Sequence, residues 1–124
     1  MDRTVLLKDQ WQVFDGKDKP SLLRVLSCEK CLLPVRRESS FVLRRKIICP
    51  KQINDTVRIF FASAAEITDV FGGKKKLAPE VSPDGTAVYD ITDALKSGST
   101  VITAYFGKGE VSGFYLDVKR DKTV

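Results

Sequence analysis

Asp90-Ile91-Thr92-Asp93-Ala94-Leu95-Lys96-Ser97-Gly98, running straight into Ser99-Thr100-Val101-Ile102-Thr103-Ala104-Tyr105-Phe106, decides the fold. The first part reads as the end of a strand and one short helical turn. The oxygens of Asp90 or Thr92 can take a free backbone N–H at its start. Gly98 ends the turn, as a residue that tolerates positive φ should. The second part alternates Val101, Thr103 and Tyr105 with Ile102, Ala104 and Phe106, the period of a half-buried strand.

Outward from that junction the chain continues as short β runs broken by turn residues. Thr4–Lys8, Trp11–Phe14 and Leu22–Ser27 come first, with the polar turn Asp15–Pro20 between the last two. An irregular stretch, Cys28–Ser40, contains Pro34. In the strand Phe41–Cys49, residues Phe41, Leu43, Ile47 and Cys49 share a parity that Arg45 breaks, and Pro50 ends the ladder. Val57-Arg58-Ile59-Phe60-Phe61 suits a central strand, and Ala62-Ser63-Ala64-Ala65 leaves room for close backbone approach. Glu66–Phe71 alternates up to Gly72-Gly73, and Lys74-Lys75-Lys76 reads as a charged turn or edge strand. Ala78–Gly85 is a loop, Thr86–Ile91 a strand, and Gly107-Lys108-Gly109 the last turn. In the final strand Phe114, Leu116 and Val118 face one way, and Tyr115, Asp117 and Lys119 the other.

These elements make an all-β, antiparallel jelly-roll β-sandwich of about eight strands with one short helical turn. The length of 124 residues makes residues 1–124 one domain, large enough for a core that needs no staple.

Composition excludes several chemistries. There is no histidine, which removes the commonest general base and metal ligand and every Ser–His or Cys–His pair. No long apolar run spans a membrane, and the apolar part of Met1–Asp9 is too short for a secretory signal, which favours the cytoplasm. Cys28-Glu29-Lys30-Cys31 with Cys49 invites a zinc reading, but the second pair would be Cys49 with Gln52, which is no such ligand. Reduced thiols with Cys49 in the core are the expectation, so no metal, no cofactor and no catalytic residue is assigned. Asp90 and Asp93 have a capping job, which discounts them as paired acids for glycoside chemistry.

The charge is uneven. Residues 1–62 carry 13 Lys and Arg against 7 Asp and Glu, and residues 63–124 carry 8 against 9. Arg36-Arg37 and Arg44-Arg45-Lys46, with Lys51 and Arg58, form the main basic group. Arg44 and Lys46 share a strand face, which suits phosphates or sulfated sugars. Of the aromatic residues, Trp11, Tyr105 and Tyr115 are those able to stack on a sugar ring, while Phe14, Phe41, Phe60 and Phe61 read as core.

The order of elements resembles the galactose-binding-like jelly-roll domain. It is similar to the non-catalytic sandwich domains that precede the catalytic domain in beta-galactosidase-type and alpha-L-rhamnosidase glycoside hydrolases. The resemblance runs from Phe41 to Phe106, and the first forty residues match it loosely. It is carried by Trp11-Gln12-Val13-Phe14, Phe41-Val42-Leu43-Arg44-Arg45, the strand Val57–Ala64, the strand Ile67–Gly73, and above all Tyr89–Gly98. Two positions depart from it. Phe71-Gly72-Gly73 stands where those domains carry Asn-Gly, and Ser99-Thr100 follows Gly98 where they often carry asparagine. Without the turn asparagine, a sugar contact does not carry over.

The resemblance implies a non-catalytic binding or accessory module, not an enzyme, that takes carbohydrate or another protein domain. The binding residues expected from the aromatic and basic positions of the sequence itself are Trp11, Arg44, Lys46 and Tyr105. Two alternatives are a nucleic-acid or polyanion module using the basic strand face, and a structural subunit that forms an oligomer. Salt separates the first alternative from neutral-sugar binding, because only contacts to phosphates weaken steeply as salt rises.

Overall fold

In the computed structural model, Ile102, Ala104 and Phe106 turn inward and are buried, as the alternation requires, while Val101, Thr103 and Tyr105 point outward and are half-buried. The structure describes residues 3–15, 30–49, 55–80, 87–95 and 97–120. The strand expected at Leu22–Ser27, the second half of the Ala78–Gly85 loop, Cys28 and Lys51 lie outside them.

The described strands are β1 (Arg3–Leu6), β2 (Trp11–Asp15), β3 (Lys30–Cys31), β4 (Val35–Arg37), β5 (Phe41–Ile48), β6 (Asp55–Ser63), β7 (Ile67–Gly72), β8 (Lys75–Lys76), β9 (Pro79–Glu80), β10 (Ala87–Asp90), β11 (Ser99–Phe106) and β12 (Gly109–Arg120). The short helical turn is a 3-10 turn, Asp93–Leu95.

Two antiparallel sheets face each other. One runs β1-β12-β6-β10-β9, with β4 also on β12; the other runs β3-β2-β5-β11-β7-β8. We call them the β12 sheet and the β11 sheet. The quartets β1-β12-β6-β10 and β5-β11-β7-β8 interleave in sequence in jelly-roll order. β2, β3, β4 and β9 are additions at the edges. Pro79 sits on the edge strand β9, where a missing N–H does no harm. The Lys75–Lys76 strand closes the far edge of the β11 sheet, where charge discourages further pairing.

The core lies between the sheets. Trp11, Phe41, Phe61, Phe106 and Phe114 are its largest buried side chains. Phe114 stacks on Trp11 with ring centroids 4.0 Å apart and meets Phe61 edge-on at 4.5 Å. Val57, Ile59 and Phe61 come inward from the central strand β6, and Phe114, Leu116 and Val118 from β12. Val111 is also fully buried although it has the opposite parity. A register shift between Val111 and Gly113 restores it to the inner face, the usual effect of a bulge. Close approach occurs where the alanines suggest it. Gly109 has φ +136°, and a Cβ there would lie 2.9 Å from the Cα of Ala65.

Arg45 has inward parity at the open end between the sheets. Its Nε donates to the Asp9 carbonyl at 2.8 Å, and its guanidinium lies 3.6 Å from the Asp9 carboxylate. The long stem thus covers apolar surface while the charge is held by the β1–β2 connection.

The deciding stretch is held in a way that capping alone does not explain. Asp90 pairs with Arg58, so the next ladder position would pair Ile91 with Val57. Ile91 N–H does donate to Val57 O at 2.9 Å. The reciprocal donor, Val57 N–H, goes to Thr92 Oγ1 at 2.9 Å. The hydroxyl replaces the last carbonyl of the ladder and frees the chain to turn. Asp90 Oδ1 accepts the Thr92 N–H at 2.9 Å, an Asx-type turn. Gly98, at φ 86°, closes the turn with its N–H on Leu95 O at 2.9 Å.

Candidate interaction surface

Trp11 cannot serve as a stacking platform, because it is fully buried. One face packs on Phe114, and Nε1 donates to Leu7 O at 2.9 Å. Its strand-parity neighbours point inward, so the indole belongs to the core. This corrects its place among the expected binding residues.

Arg44, Lys46 and Tyr105 share the outer face of the β11 sheet. Tyr105 stands opposite Val42, Thr103 opposite Arg44 and Val101 opposite Lys46. Phe71 meets Tyr105 edge-on at 5.9 Å, and Lys76 Nζ is 2.9 Å from Asp69 Oδ1 beside it. Phe14 and Val42 have the same outward parity yet are buried. The face carries Tyr105 packed by its edge rather than a row of open rings.

The basic group disperses. Arg58 lies on the outer face of the β12 sheet and pairs with Glu80 at 3.0 Å. Arg36 and Arg37 sit on β4, paired with Glu38 at 3.5 Å and Asp15 at 3.2 Å. Only Arg44 and Lys46 remain side by side without an ion pair to a described residue.

The outer face of the β12 sheet holds what sequence reading missed. Leu6 stands opposite Tyr115, Tyr115 opposite Phe60, and Phe60 opposite Val88. These side chains form one apolar row across β1, β12, β6 and β10. The Phe60 and Tyr115 rings stack with centroids 4.7 Å apart and planes within 3°. Each ring therefore covers one face of the other. The next row, Thr4, Asp117, Arg58 and Asp90, is polar. Phe60 reads as core from the apolar run, but it shares parity with Arg58 in β6, and that signal places it outside.

Clefts open at the ends and edges of the described structure. One, of about 430 Å³, lies beside the 3-10 turn and is lined by Asp90, Thr92, Asp93, Thr56 and Lys75. No aromatic side chain lines it, and Asp90 is engaged by the Thr92 amide. Another, of about 340 Å³, opens between β1 and the end of β5, with Leu6 and Ile48 on its walls and Leu7, Cys49 and Leu116 below. Tyr89, buried on the inner face of β10, has its phenol pushed above its ordinary value by burial and by the nearby Asp69 charge. Among the described residues no cluster of His, Cys, Asp and Glu is arranged to hold a metal ion. Among the described residues no helix is long and apolar enough to cross a membrane.

No family model matches the chain, and none of the curated proteins does. Solved structures do. An FMN-binding beta-glucuronidase from Faecalibacterium prausnitzii L2-6 superposes with a TM-score of 0.73 at 15% identity, over 97% of this chain and 23% of that one. A Bacteroides fragilis protein assigned as a beta-galactosidase superposes with a TM-score of 0.70 at 15% identity, over 96% of this chain and 23% of its own. The likeness is one of fold, and the chain spans about a quarter of the length of these glycoside hydrolases.

Proposed function

We propose that this chain is a non-catalytic accessory β-sandwich of the galactose-binding-like type that works by binding a protein surface, with the outer face of the β12 sheet as its contact. The observation that carries this reading is the cross-strand row Leu6, Tyr115 and Phe60, backed by the buried Val88, with Phe60 and Tyr115 stacked on each other. A sugar ring stacks on an open aromatic face, and these two rings spend one face each on the other. Aromatic edges in a flat apolar band with a polar row beside it are the makeup of a protein interface. The likeness to a 23% portion of larger glycoside hydrolases supports a module that works beside other domains. The dispersal of the basic group weighs against a polyanion site.

Site-resolved photo-crosslinking tests it. A benzoyl-phenylalanine at Tyr115 should give a discrete protein adduct in the cells that make the chain, and the same probe at Thr103, on the opposite sheet, should not. A panel of neutral sugars, sulfated glycans, DNA and RNA should leave the melting temperature unchanged. A sugar or polyanion that raises it, with no adduct at Tyr115, would overturn the reading, since a ligand of the folded state must stabilise it.

A further inference from the structure

We propose that the cleft between β1 and the end of β5 is a second contact, a docking site for an extended acidic segment of a partner protein that seats an apolar side chain between Leu6 and Ile48. It rests on the reading above in taking the partner to be a protein, and it shares Leu6 with the row on the β12 sheet.

Leu6 is 63% exposed and Ile48 70%, and with Leu32 at 69% they are the exposed large hydrophobics of the described structure. Leu6 and Ile48 face the same cleft, and Leu33, next to Leu32, donates its N–H to Lys8 O at 2.9 Å in the connection that follows β1. Exposed apolar groups scattered singly need no explanation, but a cluster around a cleft does. The floor is already dry, because Leu7, Cys49 and Leu116 are buried.

Backbone at the cleft favours an extended occupant. Among the described residues, β2 pairs with β5 only as far as Gln12 opposite Arg44, and β1 pairs only with β12. On its side away from β11 the stretch Lys46–Ile48 thus meets no described strand beyond the Arg45 guanidinium, whose Nη1 donates to Lys46 O at 3.2 Å, and neither does the outer side of β1, the setting in which a peptide adds to a sheet edge.

Charge gives the sign of the partner. Arg45 and Lys46 line the cleft and no carboxylate does. Asp9 answers Arg45 at 3.6 Å, while Lys46 has no ion pair among the described residues. A second copy would bring the same cations to the same rim, which like-charge repulsion opposes. Single-stranded nucleic acid would need aromatic stacking, and the walls are aliphatic.

The test is fluorescence polarisation with two labelled peptides that alternate valine and leucine with either glutamate or lysine. The glutamate peptide should bind at low salt, and the lysine peptide at least about tenfold more weakly. Ile48→Glu, at a surface side chain that folding does not need, should weaken the glutamate peptide about tenfold or more, and Lys46→Glu should shift preference toward the lysine peptide. Lys108→Glu makes the same charge change at the other end of β11 and should alter binding by less than about twofold. Equal binding of both peptides, no binding of either, or unchanged binding by Ile48→Glu overturns the inference. Ile48 belongs to this cleft and not to the Phe60–Tyr115 row. An adduct at Tyr115 without peptide binding would therefore reject this cleft alone. Peptide binding without the adduct would reject the sheet face alone.

Discussion

Replacing Thr92 with valine tests the central structural claim, that one hydroxyl completes the β6–β10 ladder. Valine keeps the shape of threonine and removes the oxygen. Val57 N–H, whose residue is fully buried, then loses its 2.9 Å acceptor. Nothing replaces it, because the ladder carbonyl that would have served has turned away with the chain. A buried donor left unpaired costs about 1–3 kcal/mol, so we expect about 2 kcal/mol. Thr92→Ser keeps the hydroxyl and should cost less than about 1 kcal/mol. The assay is urea unfolding followed by the fluorescence of the single tryptophan, which is stacked on Phe114 in the core. With a slope of about 2 kcal/mol per molar urea, the valine variant should unfold at about 1 M less urea. In a melt the same change should lower Tm by about 6–10 °C for a chain of this size. The reasoning is refuted if the valine variant stays within about 0.3 kcal/mol of the parent, or if serine is as damaging as valine.

Three further outcomes are expected. Iodide should leave the native Trp11 fluorescence nearly unquenched and quench it strongly after unfolding, and Trp11→Ala should cost about 3–5 kcal/mol in urea unfolding followed by circular dichroism; easy quenching of the native state would contradict its burial. Gly109→Ala should cost about 2–3 kcal/mol, because φ +136° is strained for alanine and Ala65 blocks the Cβ. Gly73→Ala, at φ +64° where a Cβ would meet Thr100 Oγ1 at an ordinary 3.8 Å, should cost only about 1–2 kcal/mol, and equal midpoints for the two variants would reject the close approach. Tyr89 has a folded pKa above the ordinary 10.0, so the stability from its neutral phenol is full below pH 10 and is lost as pH rises through the folded value. Tyr89→Phe should therefore show a shallower loss of stability above pH 10 than the parent, measured by urea unfolding across that range; identical slopes would rule out the shift.

Local alternation was enough to place most of the sandwich. It gave the inward faces of β5, β11 and the end of β12, because a strand with one face in the core repeats every second residue whatever its neighbours are. Gly98 and the Lys75–Lys76 edge were legible for similar local reasons. Arg45 was visible as a break in the pattern, but its explanation needed Asp9, a residue far off in sequence and close in space. The bulge that turns Val111 inward was not legible, since it depends on the register between β12 and β6.

The candidate surface shows the same division. Sequence alone determined that Arg44 and Lys46 share a face, that Tyr115 points away from the core, and that no histidine-based chemistry is available. Tertiary structure decided that Trp11 is sealed between the sheets, that Arg58 leaves the basic group for the opposite face, and that Phe60 comes out of an apolar run to stack on Tyr115. Parity is a property of one strand, written in the order of its residues. Which strands become neighbours, and so which outward side chains meet, is set by how two sheets close over a shared core.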